Sequence, residues 1–382
     1  MDKFLSVMST VGSVLLAILI LLVMVTVHEF GHYVAGKALK FKINEFAIGF
    51  GPKLFKRTSK RTGEVFSVRA LPLGGFCAFE GEDDESASEN AFNKKAPWKR
   101  IIVLIAGPLM NYLLALLLII ISMFAFGQMM FKVGSVAEPI ENGAVVEQYA
   151  QYSFDTGDII LKVEGKNIYL TTDLMSAISG KKKMDKIDVL VNRNGSEKTI
   201  EIMLREDCNF SSSTETSKLW RALGVGTYGV PTGEDEEGNT TYSYYFDLGV
   251  QSYRFGFFRT IGHSFQYSWR IAGTIFKVLG ELLTGHIGLN AMGGPVTTIK
   301  MTSEIATQSA QSFFEIAAYI GVNLAVFNLL PIPALDGSKV IFSLIEWAFR
   351  KPVPRKVEAI IHAVGFFAIL GFAVLVDILQ FV

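Results

Sequence analysis

Cysteine is scarce in this sequence, and neither sign of charge predominates. The 382 residues include two cysteines, Cys77 and Cys208, whose separation suits neither a disulfide framework nor a zinc site built from paired cysteines. Lys and Arg together number 36, as do Asp and Glu, so no excess of positive charge is present to attract nucleic acid. We therefore expect two unpaired, buried thiols and no nucleic acid among the partners.

Charged residues in general are under-represented. They make up 19% of the chain, against about 25% in typical soluble domains, while apolar residues reach 50%. The first apolar run lacks a small-residue cleavage site, so we expect a retained transmembrane helix there and not a signal peptide. A spanning helix needs about 20 apolar residues. Runs that meet or approach this length cover residues 11–27, with a start as early as Phe4, and residues 101–126, 313–330 and 359–381.

Lys and Arg are concentrated in two of the segments that join these runs, residues 37–100 and 339–356. Short basic loops remain in the cytoplasm, so both termini and the long segment 131–312 are expected outside. The pattern predicts a multi-pass protein of the inner (plasma) membrane, with the lipid bilayer as a partner.

The external segment has the pattern of a folded domain. Residues 159–163 alternate as in a strand, another strand begins at Ile187, and Asn194-Gly195 predicts a hairpin turn. Residues 208–241 are rich in Ser, Thr, Gly and acids, which favours a linker. Residues 269–283 are amphipathic but too short and too charged to span, so we expect an interfacial helix on the membrane. A helix packed on the external domain is the alternative.

The strongest chemical signal is His28-Glu29-Phe30-Gly31-His32, in the first apolar helix. Residues four apart on a helix nearly overlie, so two imidazoles at this spacing can bind one zinc ion. Glu29 is then placed to act as the general base on a water molecule. Ionisable groups are costly at membrane depth, which makes a functional role their default interpretation. A packed pair of histidines beside a buried carboxylate is the alternative.

A catalytic zinc takes three protein ligands and a water, so a third ligand is required. Asp336 follows a stretch that contains two prolines and precedes Gly337. Broken backbone of this kind is tolerated at membrane depth where it lines a cavity or a site, so Asp336 is the expected third ligand. A solvated aspartate in an interhelical loop is the alternative. The predicted topology or an unbroken helical context argues against the other candidates, which are His263, His286, Glu346, His362 and Asp377.

Several motifs occur together along the chain. Besides the His28–His32 motif, the sequence has Asn-Leu-Leu-Pro-Ile-Pro-Ala-Leu-Asp-Gly at 328–337, Gly-Phe-Gly-Pro at 49–52 and Gly-Pro-Leu-Met-Asn at 107–111. Pro-Leu-Gly-Gly at 72–75 and Gly-Pro-Val at 294–296 complete the set. With these motifs the chain resembles the site-2 protease family, in particular its bacterial RseP-like branch of regulated intramembrane proteases.

The resemblance implies roles for individual residues. His28, His32 and Asp336 look like the ligands of one zinc ion per chain, and Glu29 looks like the catalytic base. Asn323 and Asn328 match family asparagines near the substrate and the active site, although hydrogen bonds between helices would also account for them.

The resemblance also implies a fold. We expect a polytopic α-helical membrane protein with about four transmembrane helices, membrane-associated β-hairpins and an inserted extracytoplasmic PDZ-like α+β domain. The expected boundaries are 1–126 for the first part of the membrane core, 131–207 for the PDZ-like domain, 208–310 for a linker with the interfacial helix, and 311–382 for the second part of the core. Asn142-Gly143-Ala144-Val145 departs from the usual carboxylate-binding stretch, so peptide capture and exclusion of bulky substrates both remain open.

Two stretches between the first two apolar runs, residues 46–55 and 64–71, have the pattern of strands. In the resembling family such strands enter the membrane near the zinc and offer an open edge, to which an extended substrate could add by main-chain hydrogen bonds. The expected edge residues are Val65, Phe66, Val68 and Ala70. A hairpin that only packs on the helices is the alternative.

The expected activity is that of a zinc-dependent intramembrane endopeptidase with its active site near the cytoplasmic face. Its substrates would be single-pass membrane proteins, such as anti-sigma factors or signal-peptide remnants, that a site-1-type protease has cut first. A zinc transporter would need polar residues through several spans, whereas residues 101–126 offer Asn111 and Ser122 alone. An inactive adaptor that presents the PDZ-like domain is disfavoured by the intact zinc-binding motif.

Overall fold

The structure, a computed structural model, describes residues 2–82, 88–141, 144–234, 240–288 and 293–381. Its helices are α1 (Asp2–Ala38), α2 (Pro97–Ala125), α3 (Glu147–Gln151), α4 (Thr171–Ile178), α5 (Thr216–Ala222), α6 (Phe257–Leu283), α7 (Pro295–Ala306), α8 (Ala310–Leu329), α9 (Asp336–Phe349) and α10 (Arg355–Phe381). Its strands are β1 (Ile43–Thr58), β2 (Val65–Phe79), β3 (Gln128–Val133), β4 (Ile140–Glu141), β5 (Ala144–Val145), β6 (Ile159–Val163), β7 (Lys166–Asn167), β8 (Lys186–Arg193), β9 (Ser196–Met203), β10 (Thr227–Glu234), β11 (Thr240–Phe246) and β12 (Leu248–Tyr253).

The chain forms two compact units. The first contains Met1–Ser122, Ser264–Ile275 and Gly288–Val382, and the second contains Met123–His263 and Phe276–Ile287. The first unit therefore holds the apolar helices and the β1–β2 pair, whereas the second holds the larger sheet.

Four helices of the first unit are long and apolar enough to cross a membrane. These segments are Thr10–Ala38, Pro97–Ala125, Ala310–Leu329 and Lys356–Gln380. Each contains most of one predicted run, so the expectation of about four spanning helices is confirmed at the level of length and composition. The first helix continues well past residue 27, because the His28–His32 motif lies within its last turns and does not break it.

β1 and β2 form a small sheet of two long, bent strands, and both halves of each strand take part in pairing. Residues 53–58 pair with 65–69, and residues 43–48 pair with 75–79, both antiparallel. Residues 45–48 lie beside 65–68 as well. Glycines with positive φ, including Gly49 at 83° and Gly74 at 109°, let the strands bend back in this way.

This pairing corrects the expected open edge. Val65 lies opposite Glu45 and Thr58, Phe66 opposite Phe46 and Arg57, and Val68 opposite Ile48 and Phe55. The expectation is wrong for these three residues because both sides of their stretch already have a neighbour; Ala70 has no assigned partner in the register. The edges of the sheet are instead residues 53–58 and 75–79.

The second unit is built on an antiparallel sheet with the strand order β12-β3-β6-β8-β9, in which β7 pairs with β6. Ile187, predicted to begin a strand, lies at the start of β8. The hairpin turn at Asn194-Gly195 is confirmed, since φ is 53° and 88° at these residues, as a two-residue turn of this type requires. The strand predicted at residues 159–163 is β6, and both of its faces are covered, since Ile160 is as buried as Ile159 and Leu161.

The core of this unit continues beyond the predicted domain boundary at residue 207. Cys208, Leu219 and Trp220 are buried in it with residues of β6 and β8. The predicted linker at 208–241 therefore includes α5 and β10, which supply a core helix and one strand of a hairpin. The predicted amphipathic helix at 269–283 is the second half of α6, which begins at Phe257. Of the stretch at 142–145, residues 142 and 143 lie outside the described residues.

Candidate metal centre

The two histidines of the α1 motif face the interior of the first unit. His28 and His32 are each 7% exposed, and their rings meet edge to face with 4.7 Å between the centroids. Their Nε2 atoms lie 3.1 Å apart. The four-residue helical spacing therefore brings both imidazoles to one point, as the sequence predicted.

Asp336, the first residue of α9, reaches the same point from a distant part of the chain. Its Oδ2 atom lies 3.0 Å from Nε2 of His28 and 3.3 Å from Nε2 of His32. A tetrahedral zinc ion with ligand bonds of about 2.0–2.1 Å separates its ligand atoms by roughly 3.3 Å. The three donor atoms thus form a triangle of the size that zinc requires, and their chemistry, two imidazoles and one carboxylate, is that of a catalytic zinc site.

α2 contributes no donor, but it supplies the space around the three atoms. A Cβ atom at Gly107 would lie 2.4 Å from Nε2 of His32 and 2.9 Å from Nε2 of His28. At Gly31 of α1, a Cβ would lie 2.2 Å from the carbonyl oxygen of Ala106. The two helices therefore approach closely, and the volume beside the Nε2 atoms is kept open by the absence of a side chain at Gly107.

Hydrogen bonds on the far side of each ring orient the two imidazoles. Nδ1 of His32 lies 2.8 Å from the carbonyl oxygen of Val103, so it carries the proton and leaves Nε2 free as a ligand atom. Nδ1 of His28 lies 3.5 Å from the side-chain amide of Asn111, which is fully buried. The amide nitrogen of Asn111 faces the ring, and its amide oxygen is buried without a partner among the described residues. Turning the amide by 180° would let this oxygen accept the Nδ1 proton of His28 and leave Nε2 to the metal. No role at the site was predicted for Asn111, although its place in the 107–111 motif was a signal.

Glu29 is held beside the donors by the small sheet. Its Oε2 atom accepts a hydrogen bond of 2.9 Å from the backbone N–H of Cys77 in β2. The carboxylate is therefore fixed next to His28 without being one of the three converging donors. This is the arrangement needed for a base that acts on water at the metal.

Comparison with known proteins identifies the family. The pattern of Peptidase family M50 matches residues 16–372. The chain belongs to this family. A protein of Clostridium perfringens is 32% identical over 369 residues, which are 96% of this chain and 97% of that protein. Proteins of Fusobacterium nucleatum (30% identity, 95% of this chain and 97% of that protein) and Campylobacter jejuni (28% identity, 96% and 91%) are also similar. Each of the three is named "Putative zinc metalloprotease".

The family assignment confirms the expected class of enzyme. The chain is a site-2-type M50 metalloprotease, and zinc is the cofactor of this class. Together with the four apolar helices, the family identifies it as an integral membrane protein. The residues that fit the zinc are His28, His32 and Asp336.

The asparagines of α8 remain predictions. Asn323 and Asn328 are partly exposed, and the hydrogen bonds of the described part of the chain connect neither one to the three donors. They lie five positions apart on the helix, which turns their side chains about 140° apart. At most one of them can therefore face the zinc site directly.

Asp377 and His263, which were not expected to be zinc ligands, have other hydrogen-bond partners. Asp377 of α10 accepts hydrogen bonds from the backbone N–H groups of Val296 and Thr297 and caps the start of α7. In the second unit, Nδ1 of His263 lies 2.9 Å from the hydroxyl oxygen of Tyr169. Burial, with the nearby charges of Arg259 and Lys162, lowers the pKa of His263 to about 4.

An ionic cluster centred on Glu45 stabilises the small sheet that holds Glu29. Glu45 accepts hydrogen bonds from Ser67 at 2.6 Å, from Lys53 at 2.9 Å and from Arg69 at 2.9 Å. Burial alone would raise the pKa of Glu45, but these three donors together lower it to about 2. The cluster joins the two halves of β1 to β2.

Proposed function

We propose that this M50 protease is a zinc-dependent intramembrane endopeptidase that cleaves the transmembrane segments of single-pass membrane proteins. The observation that carries the proposal is the triangle of donor atoms from His28, His32 and Asp336, because the two histidines lie in an apolar helix long enough to cross a membrane. Hydrolysis at this position acts on peptide bonds that soluble proteases do not reach.

The chemistry can be assigned to side chains of the site. A zinc ion held by the three ligands supplies a Lewis acid and makes water more acidic. Glu29 accepts the proton as the water oxygen attacks the carbonyl carbon of the scissile bond. When the carbon–nitrogen bond breaks, Glu29 returns this proton to the departing amine. Asn328 is the proposed hydrogen-bond donor to the oxygen that becomes negative, with Asn323 nearer the substrate.

A helical substrate must be extended before it can be cut, because a helix engages its carbonyl groups in its own hydrogen bonds. At the edge formed by residues 75–79 the Cys77 N–H is already bonded to Glu29, so an extended segment would add to the residues just before it. Leu71, just before this edge, is 52% exposed. We propose that the substrate strand lies along residues 71–75 and ends at Glu29, in place of the edge first expected at residues 65–70.

The biological setting is inferred from the resemblance and the charge pattern. The basic segments 37–100 and 339–356 support an active site near the cytoplasmic face of the inner membrane. The proposed substrates are anti-sigma factors or signal-peptide remnants, cut first by a site-1-type protease. The second unit would act as the PDZ-like domain that either captures a new carboxyl terminus or excludes bulky substrates.

The test is cleavage of a single-pass model substrate by the purified full-length protein in detergent. Wild type should cut the substrate within its membrane segment, and a zinc chelator should stop the reaction until zinc is restored. Glu29→Gln should retain one zinc per chain yet lose activity by at least about 100-fold, because the base is removed while the ligands remain. If Glu29→Gln cuts at the wild-type rate, the assigned mechanism is wrong; if chelation has no effect, the proposed function is wrong.

A further inference from the structure

The loop that delivers Asp336 to the site has an unusual backbone conformation. Ala334, two residues before Asp336, has φ of 77°. A residue with a side chain is strained in this left-handed region, and such conformations persist where the surrounding structure holds them in place. Pro333 precedes Ala334 and Gly337 follows Asp336, so the chain turns sharply into α9.

The element that enforces this conformation is α10. The backbone N–H of Ala334 donates a hydrogen bond of 3.0 Å to Nδ1 of His362. One turn further along α10, a Cβ atom at Gly365 would lie 2.3 Å from Cβ of Pro333 and 2.8 Å from its carbonyl oxygen. α10 therefore presents an acceptor to Ala334 and a bare backbone surface to Pro333, at adjacent positions.

The surroundings of His362 favour the tautomer that this hydrogen bond needs. To accept at Nδ1, the ring must carry its proton on Nε2. The carboxylate oxygen Oε1 of Glu358, one turn earlier on α10, lies 3.9 Å from Nε2 and attracts a proton there. The ring of Phe342 packs edge to face on the imidazole, with 5.7 Å between the centroids, and limits its rotation.

We propose that His362 is a positioning residue for the zinc ligand Asp336. By holding the N–H of Ala334, it fixes the direction in which the chain enters α9, and therefore the place of the Asp336 carboxylate. The hydrogen bond of His362 goes to the loop and not to one of the three donor atoms, so it acts through the backbone of the loop. The proposal rests on Asp336 being a zinc ligand, and it goes beyond that assignment by naming the residue that sets the ligand's position.

Three substitutions separate the hydrogen bond from the bulk of the side chain. In His362→Asn the acceptor oxygen is bonded to Cγ, as Nδ1 is in histidine, so the contact with Ala334 can be kept. In His362→Gln the acceptor is one bond further out, near the position of Nε2, and the contact should be lost. His362→Leu keeps an apolar side chain of moderate size and offers no acceptor at all.

The primary readout is the zinc dissociation constant, measured in detergent by competition with a chelator and without substrate. We expect an increase of about 10-fold or more in His362→Gln and His362→Leu, the size typical for loss of an outer partner of a metal site, and at most about 3-fold in His362→Asn. The visible absorption of the cobalt-substituted protein should change in the same two variants, because it reports the geometry of the ligands. Thermal unfolding of the chelated proteins measures any general loss of stability separately.

Zinc affinity that is the same in wild type, His362→Gln and His362→Leu would overturn the proposal, as would a loss in His362→Asn as large as that in His362→Gln. If His362→Leu does not fold, the comparison of Asn with Gln still decides. Because these measurements need no substrate, they remain informative even if the intramembrane protease activity is not found. If Asp336→Ala bound zinc as tightly as wild type, Asp336 would not be a ligand. The proposed role of His362 and the proposed zinc site would then both lose their basis.

Discussion

A methyl group at Gly107 would occupy the space in which the three zinc donors meet. In Gly107→Ala the new Cβ would lie 2.4 Å from Nε2 and 2.5 Å from Cε1 of His32. Non-bonded heavy atoms normally stay about 3.5 Å apart, so the ring must move by roughly 1 Å. Zinc–ligand distances are satisfied only within about 0.2 Å. We expect the zinc dissociation constant to rise at least about 100-fold, or about 2.8 kcal/mol.

The same substitution should affect the fold of the metal-free protein less than it affects zinc binding, because a gain in helix propensity offsets part of the cost of moving the buried His32 ring. Alanine is favoured over glycine inside a helix by about 0.8–1.0 kcal/mol, so α2 itself gains helix propensity. Gly371→Ala is a matched control, since it makes the same change inside α10 where a Cβ meets no atom within 4 Å. The control should bind zinc and cleave substrate as wild type does.

The assay is zinc content after dialysis, followed by chelator competition and by thermal unfolding of the chelated proteins. Gly107→Ala should lose zinc and activity together while the chelated protein keeps most of its stability. If Gly107→Ala bound zinc with wild-type affinity, the zinc could not lie where the two Nε2 atoms and the Asp336 oxygen converge. A loss of zinc in Gly371→Ala as well would show that the effect is not local.

Three further predictions concern the small sheet and the topology. Because the pKa of Glu45 falls from 4.5 to about 2 on folding, the stability that its charge contributes is complete above pH 4.5 and is lost as the pH falls toward 2. The difference in unfolding midpoint between wild type and Glu45→Gln should therefore shrink over this range. A difference that does not depend on pH would contradict the ionic cluster. A cysteine placed at Leu71, in a Cys-free protein that also carries Glu29→Gln, should crosslink to a substrate cysteine near the scissile bond. A cysteine at Phe55, which is 54% exposed on the opposite edge of the sheet, should not. The reverse result would place the substrate on that other edge. A thiol at Ser59 should resist an impermeant reagent in intact cells and one at Ser212 should react, and the opposite pattern would reverse the orientation.

The features that could be predicted from the sequence are those with a local pattern, such as the spacing of residues along a helix. Four apolar runs predicted four long helices, and the four-residue spacing of His28 and His32 predicted that their rings share one face of α1. Asp336 was found from two prolines and a glycine that break the helix, a local signal for a loop at membrane depth. Each of these predictions depends on residues within one segment of the chain.

Features that depend on contacts between distant parts of the chain could not be predicted from the sequence. Alternation identified residues 64–71 as a strand, but it could not reveal that residues 45–48 and 55–58 lie on both sides of it. The segment 208–241 looked like a linker because it is polar, yet Leu219 and Trp220 are buried in the core of the second unit. A few apolar residues in a short helix are enough for core packing and give almost no periodic signal.

The precision of the zinc site depends on a helix that supplies none of its ligands. α2 provides the carbonyl oxygen of Val103 to His32, the amide of Asn111 to His28 and the open space at Gly107 to both. These three positions are four residues apart, so they form one face of α2, and that face lies against the motif of α1. A glycine and a buried asparagine inside a membrane helix are unfavourable when α2 is considered alone. They become favourable only through α1, because the glycine leaves room for the three donor atoms and the asparagine contacts the His28 ring on the side away from them.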